Sequence, residues 1–244
     1  MIFAAGLGTR LGSLTRETPK ALVSVGGVPM LEHVALRLIE AGVDRIIINV
    51  HHFAEQIVDF VEARRCFGVE VVFSLELERP LETGGGLAHA GPLFRGDGPI
   101  LLHNADILSE VPLHSVIAAH GRTDAVATLV VMHRQSSRQL LFDDAGLLGR
   151  VDDLKGVRTE VRDPQGVLRT LAFGGIHVVS REIFSMIEQR GVFSIIDTYL
   201  GIASKGRRIL PFDGDTFRWM DVGKREQLEA AERLVSADRP VSAG

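Results

Sequence analysis

The feature that most restricts what this chain can fold into is an alternation. Short β-branched runs and amphipathic helical stretches follow one another through its first half, the pattern of βαβ units that build a parallel sheet. Arg45-Ile-Ile-Ile-Asn-Val50 is a continuous apolar run suited to a central parallel strand, and Phe53 to Arg64 returns to helical periodicity through Ile57, Phe60 and Val61. Pro29 stands where a first helical residue belongs, and Leu31, Val34, Ala35, Leu38 and Ile39 repeat at helical spacing up to the stop at Gly42. Ile2 to Ala5 is a stub of strand, Val69 to Leu75 and Ile100 to His103 are further strands, and Gly84 to Phe94 forms a short helix behind a glycine-rich turn. After Asp124 the pattern changes. Ala125 to Met132 is strand-like, and Leu140 to Leu148 resembles a hairpin turning at Asp144 to Gly146, placed at one edge of the main sheet. Arg181 to Arg190, Ser194 to Ser204 and Lys224 to Val235 are helical candidates, with a strand-like stretch near Arg208 to Phe212.

With 244 residues, 45% of them hydrophobic, the chain can bury one large core and is short for two comfortable domains. The expectation is a single α/β domain over residues 1–235 and a disordered tail over 236–244, where the sequence turns small, polar and proline-containing. Lys and Arg number 27 against 31 Asp and Glu, and no basic run exceeds the pairs Arg64-Arg65 and Arg207-Arg208, so charge gives no reason to expect a nucleic-acid polymer or an anionic membrane as partner. The single cysteine, Cys66, can make neither an internal disulfide nor a thiolate cage, which suits a reducing compartment. The opening residues have no basic stretch followed by a long apolar one, and no apolar run reaches membrane-spanning length, so the expected location is cytoplasmic. None of the nine histidines falls in a repeated metal-ligand spacing.

Three segments carry candidate chemistry. The first is Ala4-Ala-Gly-Leu-Gly-Thr-Arg-Leu-Gly12, directly after the first strand, where Gly6 and Gly8 remove side chains that would keep the backbone from phosphates or a flat base. Its glycine spacing is neither the dinucleotide fingerprint nor the phosphate loop ending in Gly-Lys-Ser/Thr. Arg10 and Lys20, on or just after that loop, are fixed cations able to stabilise the charge that gathers when an α-phosphoryl group is transferred and pyrophosphate departs. Taken singly, each is more readily a solvated surface charge. The second is a pair of distant carboxylates. Asp106 ends the run Ile100-Leu-Leu-His-Asn-Ala-Asp, where open α/β sheets place ligands, and Asp221 lies in Trp219-Met-Asp-Val-Gly-Lys. Two converging aspartates suit Mg2+, which takes oxygen ligands and commonly shares them with nucleotide phosphates. The third is Leu81-Glu-Thr-Gly-Gly-Gly-Leu, in which successive glycines let backbone amides approach a ligand edge or simply make a flexible loop.

Together these segments resemble the sugar-phosphate nucleotidylyltransferase family, whose usual form is Gly-x-Gly-Thr-Arg-Leu, a short stretch, then Pro-Lys-x-Leu; here the second half is Pro19-Lys-Ala-Leu. The family's common proline and leucine after Arg-Leu are replaced by Gly12-Ser13-Leu14. The resemblance runs from Ile2 to about Leu234 and implies a Rossmann-like, three-layer α/β/α fold around a mostly parallel mixed sheet, of the nucleotide-diphospho-sugar transferase type. It also implies roles. Ala5, Gly6, Gly8, Thr9, Arg10, Lys20 and Asn104 would hold the nucleotide, Arg10, Lys20 and Asp106 would act in catalysis, and Asp106 and Asp221 would hold Mg2+. Glu82, Thr83 and Gly85 would read the base, and Asp152 and Gly175 would contact the sugar, in segments that match the family's sugar-contact motifs loosely. Asp197 can be a helix carboxylate facing the pocket or an ordinary solvated one, and the second reading is favoured.

The implied reaction condenses a nucleoside triphosphate with a sugar 1-phosphate, giving a nucleotide sugar and pyrophosphate. Leu81-Glu-Thr-Gly-Gly-Gly most resembles the N-acetylmuramate-1-phosphate uridylyltransferase branch, which serves cell-wall recycling. A mannose- or heptose-1-phosphate guanylyltransferase is the alternative within the class, and a choline-phosphate cytidylyltransferase a more distant one. A non-catalytic nucleotide-sugar sensor is the alternative outside it, disfavoured because Arg10, Lys20, Asp106 and Asp221 are all retained. The glycine spacing disfavours a nicotinamide-dependent oxidoreductase. No appended β-helix or acetyltransferase activity is expected, and the expected assembly is a monomer or small homo-oligomer.

Overall fold

The computed structural model describes residues 1–237. In chain order the strands are β1 Ile2–Phe3, β2 Ser24–Val25, β3 Val28–Pro29, β4 Arg45–Val50, β5 Glu70–Leu75, β6 Ile100–Asn104, β7 Ile107–Ser109, β8 Ala127–Met132, β9 Arg138–Asp143, β10 Gly146–Asp152, β11 Val157–Glu160, β12 Arg169–Val179, β13 Ile209–Asp213 and β14 Trp219–Asp221. The α-helices are α1 Met30–Glu40, α2 Ala54–Ala63, α3 Glu82–Ala90, α4 Leu113–Gly121, α5 Ile183–Met186, α6 Ile195–Ser204 and α7 Arg225–Ala237. Because α7 runs to Ala237, the tail expected over 236–244 lies, beyond that residue, outside the described residues. Among the described residues no helix is long and apolar enough to cross a membrane.

Two compact units interleave along the chain. The first comprises Ile2–Pro80, Asn104–Glu110 and the chain from Arg218 onward. In it β1, β4 and β5 are parallel, in register Ile2 to Ile48 and Ile48 to Phe73. The apolar run in β4 is buried from Ile46 to Val50, as a strand covered on both faces requires. α1 buries Met30, Leu31, Val34, Ala35 and Leu38 along one stripe, and Pro29 is its N-cap, so the helix starts one residue later than the sequence pattern suggests. β7 and β14 form an antiparallel pair that sets Asp221 opposite Ile107. A cluster of Leu11, Val23, Val25, Met30, Val222, Leu228 and Ala231 locks the N-terminal loop, the start of α1 and α7 together. The turn holding Val222 therefore has an apolar anchor.

The second unit comprises Met1, Leu81–His103 and Val111–Phe217. Its backbone is the long strand β12, whose first residues pair with β9 and whose last pair with β6 and β8, all antiparallel. β13 adds to β8 in parallel. It follows that β6, β8, β9, β11 and β13 share one direction, with only β10 and β12 reversed. The hairpin turns between Asp143 and Gly146 as the sequence predicts, and β9–β10–β11 ends at an edge of this sheet. Parallel strands alternating with helices in the first unit and a mixed sheet in the second, most of whose strands run in one direction, make the fold Rossmann-like α/β.

Two sequence expectations change. α3 begins at Glu82, so the three glycines lie inside the helix rather than ahead of it. The helix expected over Arg181 to Arg190 is a single turn, Ile183–Met186. The chain leaves it because Gly191 adopts φ 74°, and the Phe193 carbonyl is spent on the amides of Gly84 and Gly85 at 3.0 and 3.2 Å.

Candidate active site

In the first unit, the N-terminal loop is fixed where it leaves β1. The Ala4 amide donates to Asn49 Oδ1 at 2.7 Å, and Asn49 Nδ2 donates to Glu76 Oε1 at 2.7 Å, with both side chains buried. Gly8 then turns left-handed at φ 66°, and a Cβ on it would stand 2.9 Å from both Lys20 Cβ and Thr15 Cγ2. Only glycine fits there. The Thr15 hydroxyl donates to the Gly8 carbonyl at 2.9 Å, and Leu11 drops into the core, so the loop is held from both sides. Ala5 is buried, while Gly6, Thr9 and Arg10 are exposed and no atom crowds Gly6 within 4 Å.

Four of the predicted residues meet beside this loop. Lys20 forms an ion pair with Asp106. The Ala105 amide donates to the Phe3 carbonyl at 3.0 Å, and the Val222 amide to the Asp106 carbonyl at 2.9 Å, which ties the strand end bearing Asp106 to the turn bearing Asp221. In that turn the Gly223 amide donates to Asp221 Oδ1 at 2.7 Å. A Cβ on Gly223 would lie 2.6 Å from Asp221 Oδ1 and 3.0 Å from both Arg10 Nη2 and Lys20 Nζ. Arg10, Lys20 and Asp221 thus converge on one α-carbon, and Asp106 joins them through Lys20. Asn104 ends β6 two residues before Asp106 and is partly exposed. Two fixed cations and two carboxylates at strand ends form a site that can hold polyphosphate directly and through a cation.

The remaining predicted residues lie in the second unit. Glu82 and Asp152 line a cavity of about 500 Å³ together with Arg138, Arg150, Lys155 and Phe173. Glu82 adopts φ 59°, unusual for a side-chain-bearing residue, at the first position of α3. Thr83 uses its hydroxyl to accept the Ile195 amide at 3.0 Å at the start of α6. Gly85 is a close-approach site, since a Cβ there would lie 2.2 Å from the Gly191 carbonyl oxygen. Gly84 and Gly85 therefore spend their amides and their missing side chains on the neighbouring segment. Gly175, at φ 73°, sits where β12 shifts register against β8, and is not among the residues lining the cavity. Asp197, read from sequence as an ordinary solvated carboxylate, lines the cavity and pairs with Arg150 at 2.6 Å.

Comparison with known proteins decides the family. A model of the nucleotidyl transferase family matches residues 1–237. The chain belongs to the nucleotidyl transferase family. Among relatives of this nucleotidyl transferase, the N-acetylmuramate alpha-1-phosphate uridylyltransferase of Caulobacter vibrioides is 34% identical over 97% of this chain and 97% of its own length. Mannose-1-phosphate guanyltransferase 2 of Candida glabrata is 29% identical over 96% of this chain, which spans 63% of that longer protein. In fold, the UDP-glucose pyrophosphorylase from Acinetobacter baumanii superposes with a TM-score of 0.79 at 18% identity, covering 98% of this chain and 93% of its own. The nucleotidyl transferase is accordingly an enzyme of the sugar-1-phosphate nucleotidylyltransferase class.

Proposed function

We propose that the chain transfers a uridylyl group from UTP to N-acetylmuramate 1-phosphate, releasing pyrophosphate. The observation that carries this reading is the convergence of Arg10, Lys20 and Asp221 on Gly223, with Asp106 held by Lys20. The full-length similarity to a uridylyltransferase of the same sugar class supports the choice of substrates.

The acceptor is a phosphate monoester, already ionised at neutral pH, so no side chain need remove a proton. One of its oxygens attacks the α-phosphorus of UTP in line; the new P–O bond forms as the bond to the β-phosphate oxygen breaks, and the electron pair leaves with pyrophosphate. Catalysis is then positioning and charge stabilisation. Gly6, Gly8 and Thr9 present open backbone to the triphosphate. Arg10 and Lys20 donate to its oxygens, Lys20 exchanging its Asp106 contact for phosphate. Glu82 and Asn104 serve the nucleoside side, with Thr83 and Gly85 acting behind it by bracing α3, and Asp152 and Gly175 serve the sugar side.

The donor set fits Mg2+. Asp106 and Asp221 offer hard carboxylate oxygens beside the cations that meet the phosphates, and Mg2+ typically takes one or two carboxylates with the rest of its shell from substrate and water. Bound there, it would neutralise charge on the transferred phosphoryl group and on pyrophosphate. We place the enzyme in a reducing cytoplasm, consistent with Cys66 as a free thiol, and its product in cell-wall recycling.

Pyrophosphate release with Mg2+ tests the reading across UTP, GTP, CTP, ATP and dTTP, each with N-acetylmuramate 1-phosphate, mannose 1-phosphate and glucose 1-phosphate. The expected result is release that requires both UTP and the muramyl sugar. Turnover with GTP and mannose 1-phosphate alone would instead assign the guanylyltransferase activity carried by the Candida glabrata relative.

A further inference from the structure

The second unit contains another cavity, of about 680 Å³, on the side of α3 that carries Gly85, Ala88 and His89. Its lining includes Arg181 and Arg190 and no aspartate or glutamate, in a chain whose net charge is -4. Arg181 lies over aromatic rings, its Cζ 5.5 Å from the Phe184 centroid and 5.9 Å from that of Phe94. Its Nη1 is buried without a hydrogen-bond partner. A guanidinium placed beside two rings, on a cavity wall that carries a second arginine and no carboxylate, favours an anion, and planar guanidinium forks suit phosphate oxygens. Beside His89 and Gln189, the wall carries apolar side chains that include Phe184, Ile187 and Phe193. We propose that this cavity binds an organic phosphate carrying an apolar or aromatic group, the phosphate on Arg181 and Arg190 and the apolar part against Phe184 and Ile187.

The site is wired to α3. The Gly191 carbonyl lies against Gly85, the Phe193 carbonyl accepts both the Gly84 and Gly85 amides, and Thr83 accepts the Ile195 amide. Glu82, Ser194 and Ile196 at the ends of these same contacts line the 500 Å³ cavity. A ligand that braces the segment 187–193 therefore biases the first turn of α3, and binding changes the apparent affinity for the nucleoside triphosphate. That second statement rests on the function proposed above; binding itself does not.

The test is calorimetric titration of the full chain with phenyl phosphate, without substrates. The expected result is saturable binding to wild type, tighter than for inorganic phosphate and retained in Lys20→Ala. Arg181→Met with Arg190→Ala weakens it at least tenfold, and so does Ala88→Phe, which fills the cavity from the helix while leaving both arginines in place. Turnover without phenyl phosphate stays at wild-type level in the arginine and Ala88 variants, in which KM for the triphosphate no longer responds to phenyl phosphate as it does in wild type. Absence of saturable binding, binding lost in Lys20→Ala but kept in the arginine variants, or equal affinity for inorganic phosphate would each overturn the proposal. Binding confirmed in an enzyme inactive toward every substrate pair would refute the proposed function and leave this site standing.

Discussion

Gly223 donates its amide to Asp221 Oδ1 at 2.7 Å while its α-carbon faces the same oxygen so closely that a methyl group would stand 2.6 Å from it. Gly223 is not in the left-handed region, so alanine is acceptable to the backbone, and the cost of Gly223→Ala is steric and local to Asp221, Arg10 and Lys20. Displacing such a constellation by about 1 Å lowers turnover by about 10²-fold. The expected outcome is that loss in kcat with an unchanged circular dichroism spectrum. Activity within a factor of two of wild type would mean that the convergence does not matter to the chemistry.

Asp106→Asn and Asp221→Asn change a charge while keeping shape. Lys20 keeps an amide oxygen to donate to in the first, and the Gly223 amide keeps one in the second. Folding should therefore survive while turnover falls by about 10²- to 10³-fold, as when electrostatic stabilisation is removed from a developing charge. The apparent Mg2+ requirement should rise in both. A variant with near wild-type turnover at all Mg2+ concentrations removes that residue from the metal site.

The parts of this site that were legible in the sequence are those with a local signature. A buried run such as Ile46 to Val50 can only be covered on both faces, and Asp106 sits at the end of another such run. Gly8, Arg10 and Lys20 fall in one short motif. What was not legible depends on pairs far apart in the chain. Nothing around Asn49 announces that it caps Ala4 and leans on Glu76, nor around Asp197 that Arg150 waits across a cavity. α3 was misplaced because three glycines argue against a helix by backbone entropy, whereas their burial against Gly191 and Phe193 outweighs that penalty. The stretch after Met186 failed for the opposite reason: its periodicity is helical, but the chain just beyond it is drawn out to α3, where the Phe193 carbonyl accepts the Gly84 and Gly85 amides.

Gly85→Ala tests that explanation of the glycine run. A Cβ 2.2 Å from the Gly191 carbonyl oxygen must push two backbone segments apart, and overpacking of this kind costs about 1–3 kcal/mol. Urea denaturation should show that loss, accompanied by weaker binding of the triphosphate. Unchanged stability would mean that the segment around Gly191 yields freely and does not brace α3.

Asp143 is fully buried and held by both Arg162 nitrogens, at 2.8 and 2.5 Å. The Arg162 hydrogen bonds, helped by the amides of Gln165 and Ala145 and opposed by burial, lower its pKa to about 2. A lowered carboxylate pKa means that the unfolded chain binds the proton first. Its contribution to stability is complete above the ordinary value near 3.8 and is lost as pH falls toward 2. Asp143→Asn should destabilise at neutral pH by about 3–5 kcal/mol, the cost of breaking a buried pair. It should also remove that acid limb from a plot of urea midpoint against pH.

His177 sets an earlier limb. Burial lowers its pKa from 6.5 to about 3, with His103 adding to the effect, and its Nδ1 shares a hydrogen bond with the Tyr199 hydroxyl in the core. The folded chain keeps the ring neutral while the unfolded chain protonates it. Stability due to this group is therefore full above pH 6.5 and declines as pH drops through the unfolded value toward about 3. His177→Phe forfeits the Tyr199 hydrogen bond and lowers stability at pH 8, yet it should reduce the slope of the urea midpoint between pH 6.5 and 4, the remaining slope coming from groups such as His120, whose pKa burial also lowers. The decisive measurement is that difference in slope: equal slopes would place the titrating group elsewhere in the chain, whatever the variant does to absolute stability.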